Sequence, residues 1–187
     1  MAPNTATPTS ETDLDLSAAI QNATTAMTDL VATVAALHTP NPEAVVAIEG
    51  VGRRADAARV LAAATLSDKY DTDELGFASP TSAIATLAQV TEKTARDRLV
   101  VAGGITPDLS ITGCGVPAAH PVLAAAVTAG TVGLDAAALI TRELDSVKHR
   151  VDADALAAAE TMMVNLASGW DATGEHRVSR PGFNGGS

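Results

Sequence analysis

Four histidines, one cysteine and a scatter of carboxylates are the side chains here that could hold a metal or attack a substrate. His38, His120, His149 and His176 lie far apart. None falls in the His-Glu-x-x-His spacing that sets two imidazoles on one helix face for zinc. Cys114 stands between Gly113 and Gly115 with no defined base to activate it, and a lone thiol excludes an internal disulfide or a multi-cysteine zinc site. Glu143 and Asp145 share a stretch with Arg142 and Lys148, which reads as an ion-paired helix surface rather than an acid/base pair. His38 closes a helical stretch, where a cation suits the dipole. Gly103-Gly104 lacks the spacing and the Lys of a phosphate-binding loop. The expectation is a non-enzymatic chain with no cofactor, no metal and no evident small-molecule ligand.

One segment carries a binding pattern. IATLAQVTEKTARDRL, from Ile84 to Leu99, has the layout of a helix-turn-helix. Ile84, Ala85 and Ala88 form the inner face of its first helix, and Gln89-Val90 the turn, with Val90 plugging the angle. Thr91 caps the second helix, Ala95 allows close approach, and Leu99 anchors the far end. Lys93, Thr94, Arg96 and Arg98 are then the polar groups available to a DNA groove. Gln89 stands where such turns commonly have Gly, which relieves strain at positive φ. From Thr81 to Gly104 the charged residues are Lys93, Arg96 and Arg98 against Glu92 and Asp97, so any DNA binding is expected to be weak.

The elements that must position these residues are helical. The chain has 187 residues, 39 of them Ala, with 2% aromatics. Such a core suits close-packed helices and not a β-sandwich. The net charge of −10 excludes a generally basic nucleic-acid coat. Leu16, Ile20, Ala23, Met27, Leu30, Val34 and Leu37 keep heptad spacing along a first helix that Pro40 and Pro42 end. That stripe is either one core face of a bundle or a dimer seam. Asn41-Pro42-Glu43 starts a second helix to about Lys69, with Val45, Ile48, Ala55, Ala58 and Leu61 inward and Glu49, Arg53, Arg54, Asp56 and Arg59 outward. Gly50 and Gly52 inside it imply close packing or local weakness. Ser79-Pro80 opens a third helix, and Thr91 a fourth to about Ala102 that Gly103-Gly104 stops. After a loop from Ile105 to His120, Pro121 starts a fifth that ends at Gly130. Leu134 to about Lys148 is a sixth. Asp152 caps a seventh, with Leu156, Met163 and Leu166 inward and Gly169 closing it.

The expected fold is therefore all-α: a single bundle of about seven helices over residues 13–169, containing the helix-turn-helix-like pair and no defensible strand. Residues 1–12 and 170–187 read as disordered tails. No targeting segment and no long apolar run appears, so a cytoplasmic protein with no membrane association is expected.

The order of these signals resembles the domain of unknown function 222, or 13E12 repeat, family over roughly Glu43 to Gly169. The carriers are AIEGVGRRADAARVLAAAT (Ala47 to Thr65), LGFASPTSAIATLAQVTEKTARDRL (Leu75 to Leu99) and HPVLAAAVTAGTVGLDAAALITREL (His120 to Leu144). The last looks like a second helix–turn–helix unit with Gly130 at its turn. In that family many members continue into an HNH nuclease module with paired histidines and often zinc-binding cysteines. Here, after Gly169, only His176 and Asn184 stand in that position, so the resemblance implies the helical module without the nuclease. Two readings stay open: a non-catalytic module that contacts DNA weakly, and a protein-interaction or dimerisation bundle that forms a homo-oligomer through the Leu16–Leu37 helix.

Overall fold

The computed structural model describes residues 11–39, 42–70, 76–109 and 115–169. Its helices are α1 (Glu11–Ala35), α2 (Pro42–Lys69), α3 (Pro80–Leu87), α4 (Glu92–Ile105), α5 (Pro121–Ala129), α6 (Leu134–Val147) and α7 (Ala153–Ala167). The all-α class and the seven helices agree with the sequence. Between α4 and α5, β1 (Asp108–Leu109) and β2 (Gly115–Val116) make a two-residue antiparallel pair, Asp108 opposite Val116 and Leu109 opposite Gly115. A pair that short leaves no period to read. Cys114, His176 and the expected tail from residue 170 lie outside the described residues.

The chain divides into two compact units, Met1–Glu43 and Ala44–Ser187. In the first, α1 already begins at Glu11, inside the stretch read as a tail. Leu16, Ile20, Met27, Val34 and Leu37 are exposed and Leu30 is half-buried. The hydroxyls of Thr24, Thr25, Thr28 and Thr33 donate to carbonyls one turn back, which leaves a neutral surface around the stripe.

The second unit starts its helices as the sequence predicts. Ser79 and Ser82 close a reciprocal capping box on α3, Thr91 Oγ1 accepts from Thr94 N on α4, and Asp152 accepts from Ala155 N on α7. Gly130 ends α5 in the left-handed conformation, φ 72°. Helix α4 packs against α3, α5 and α6, while α7 covers α5 and α6. The main core gathers Val60, Val101, Leu123, Val132 and Leu144, and a second cluster joins Ala63, Ile84 and Ala95.

Four details depart from the sequence. Helix α4 runs through Gly103 and Gly104 instead of stopping there. A Cβ at Gly104 would lie 2.8 Å from His120 Cδ2 and 3.1 Å from Thr141 Cγ2, so glycine serves close approach, not termination. On α2 the buried residues are Ala57, Val60, Ala63 and Ala64, whereas Val45 and Leu61 are exposed and Ala55 and Ile48 half-buried. The expected face was rotated because arginines were assigned to water, yet Arg53 packs inward and its Nε donates to the Gly130 carbonyl at 2.7 Å. Gly50 does meet a close neighbour, since a Cβ at Gly130 would lie 3.0 Å from its carbonyl oxygen; nothing approaches Gly52 within 4 Å. On α7, Val164 and Glu160 are buried while Leu166 is exposed.

Candidate functional site

The segment from α3 to α4 joins two helices through a short turn. Ala88 to Thr91 turn the chain, and Gln89 adopts φ 52°, so it takes the left-handed conformation without being glycine. Val90 is half-buried against Ala63, Ile84 and Ala95, with Leu99 in the same cluster, as the plug and anchor roles require. Ala83, fully buried, takes the inward place expected of Ala88, which is exposed.

The four candidate DNA contacts do not share a face. Lys93 and Arg96 are exposed and lie three positions apart on the same side of α4. Thr94 is half-buried and occupied at the cap, its hydroxyl 3.0 Å from that of Thr91. Arg98 is buried at 7% exposure, which removes it from any open groove face. Two residues beyond Arg96, it stands on the opposite side of the helix, against residues of α2 and α3.

Lys93 is already engaged. Its Nζ donates to Asp97 Oδ2 at 2.7 Å, and Asp135 Oδ1 lies 4.0 Å away. Asp97 is 2% exposed, and its other oxygen accepts from Arg142 on α6. Burial pushes the Asp97 carboxyl up, but the hydrogen bonds and charges of Lys93 and Arg142 outweigh it and hold the group below its ordinary range. The Lys93–Asp97 spacing is legible in the sequence; the Arg142 partner, on another helix, is not. Asp145 pairs with Lys148 at 3.0 Å, as a surface pair should, while Arg142 turns away to Asp97.

Two further buried groups were missed. Glu160 of α7 accepts from Leu123 N at 2.8 Å, capping the amino end of α5 where His120 supplies no side-chain bond. His120 is 2% exposed, its Nε2 3.5 Å from Asp145 Oδ1 and neither ring nitrogen hydrogen-bonded. Among the described residues no group of three or more His, Cys, Asp or Glu could hold a metal ion, and no helix is long and apolar enough to cross a membrane.

A family model described as "Domain of unknown function (DUF222)" matches residues 43–180. No curated protein and no solved structure matches the chain at a significant level.

Proposed function

The chain belongs to the DUF222 family, and on that premise we propose that it is a non-catalytic helical module of assembly, which pairs with a second copy of itself through α1. The observation that carries this reading is the exposed heptad stripe, Leu16 to Leu37, on a helix with no apolar partner among the described residues of its own unit. Charge favours a second copy. Along Leu16 to Val34 the positions flanking the stripe are Ser17, Ala19, Thr24, Ala26, Val31 and Thr33, all neutral, so identical helices meet there without repulsion. Asp15 and Asp29 fall on the far side of the same repeat. Sedimentation equilibrium of the full chain tests this: a self-associated wild type that Ile20→Asp with Val34→Asp converts to monomer is expected. A wild type that stays monomeric at high micromolar concentration overturns it.

A weak DNA contact is the second reading, favoured by the left-handed turn at Gln89 and the exposed Lys93 and Arg96. With Arg98 buried, two cations remain. The expected log–log salt slope is therefore roughly −2. Fluorescence anisotropy with a labelled duplex checks it; Lys93→Gln with Arg96→Gln should abolish the binding, and an equal loss from Arg53 and Arg54 substitutions would discard it.

A further inference from the structure

Arg98 is a buried cation with no ion-pair partner among the described residues. It is 7% exposed, makes no ion pair or hydrogen bond among the described residues, and its Nε is enclosed without a partner. A buried guanidinium is normally matched, because taking the charge out of water is costly and the five donors need acceptors. Arg98 borders a cleft of about 250 Å³ between α2 and α3. The cleft is walled by Ala63, Leu66, Ile84 and Leu87, and among the described residues the only charged side chains lining it are Arg98 and Arg59. Arg59 spends one nitrogen on Asp56, at 2.6 Å. Among the described residues no acid lines the cleft itself.

The two arginines also repel one another. Burial holds Arg98 below its ordinary pKa, and the Arg59 charge adds to that, with Asp56 offsetting only part. Guanidinium does not shed its proton in proteins, so relief must come from an anion. A carboxylate presents the planar pair of oxygens that a guanidinium fork binds, and the apolar walls suit a hydrocarbon tail. The cleft lies just below the roughly 300–1,000 Å³ of sites for drug-sized ligands, which limits that tail to a short one.

We propose that the α2–α3 cleft binds a short aliphatic carboxylate, its head on Arg98 and Arg59 and its tail against Leu66, Ile84 and Leu87. This goes beyond the assembly reading and does not depend on it, since every residue involved lies in the second unit.

Amide chemical shifts of the full chain, followed during titration with hexanoate, hexanol and hexylamine, test the proposal. Saturable shifts confined to Ala63, Leu66, Ile84 and Leu87 are expected with hexanoate, with hexanol at least tenfold weaker and hexylamine weaker still. Arg98→Met, which keeps the stem and removes the charge, should bring hexanoate down to the hexanol level. Should that variant fail to fold, Arg59→Gln replaces it, with a several-fold loss expected. Equal binding of hexanol and hexanoate, shifts elsewhere on the surface, or no saturation at millimolar hexanoate would each overturn the proposal.

Discussion

Replacing Asp97 by Asn keeps the side chain's shape but removes the charge that joins α4 to α6. Hydrogen bonds to charged groups contribute about 1.5–3 kcal/mol each, and Asp97 accepts from both Lys93 and Arg142. The Lys93 side chain is 74% exposed, so solvent screens most of its share. Arg142 is 46% exposed and grips the oxygen of a carboxylate that is 2% exposed, so it carries the larger part. The expected loss for Asp97→Asn is about 2–3 kcal/mol. Arg142→Met should cost about 3 kcal/mol, because it leaves a buried carboxylate with only the solvent-exposed Lys93 as partner, and Lys93→Met less than about 1 kcal/mol. Urea unfolding followed by far-ultraviolet circular dichroism reads these as shifts in midpoint at constant slope. The pH dependence has a definite sign. Asp97 is held below its ordinary pKa when folded, so its contribution is complete above the unfolded carboxylate range and is lost as pH falls through the folded value. The deficit of Asp97→Asn should therefore shrink in acid. A double-mutant cycle with a 97–142 coupling under about 0.5 kcal/mol, or Lys93→Met as costly as Arg142→Met, would refute the reasoning.

Gly104→Ala should destabilise by about 1–3 kcal/mol through the contact with His120 and Thr141, whereas Gly103→Ala, with nothing within 4 Å, should stabilise by up to about 1 kcal/mol; paired denaturation curves compare them directly. Gln89→Gly should be neutral or stabilising by up to about 1 kcal/mol, since φ 52° suits glycine better, and a clear loss would mean that the Gln side chain has a role there. Gly130→Ala should destabilise by more than about 1 kcal/mol in the same assay, for it combines φ 72° with a Cβ placed 2.8 Å from Arg54 Cγ. Leu123→Ala, at a position with 0% exposure in the main core, should cost about 2–5 kcal/mol.

Helix starts were the most legible part of the sequence because their signals are local. Ser79-Pro80, Thr91 and Asp152 each need only a side chain and the next turn's amides, and each acts where expected. Faces were less legible. In a chain this rich in Ala, a stripe of Ala is apolar on nearly every side, so only the charges of α2 indicate its phase, and Arg53 runs against them by donating to the Gly130 carbonyl. The candidate site failed for a related reason. Lys93 and Arg96 could be placed outward by spacing, but the burial of Arg98 depends on α2 and α3 crossing over it. The α2–α3 cleft was invisible for the same cause: Arg59 and Arg98 lie on different helices, and nothing near either in sequence marks a ligand.

The arginines of the second unit show how a core without rings is held in register. Alanine fills little volume and leaves helices free to slide, and aromatic side chains that would lock the interfaces are nearly absent. Long stems take over that task. Arg53 pins α2 to the carbonyl of Gly130, and Arg142 pins α6 to the buried carboxylate of α4. Each guanidinium ends on an acceptor that exists at one position along the partner helix, which selects a single register where alanine packing alone would admit several. Arg98 has the same stem and is buried more deeply, but has no acceptor among the described residues. A cation of that kind adds desolvation cost without fixing any register, and the carboxylate proposed for the α2–α3 cleft would offset that cost.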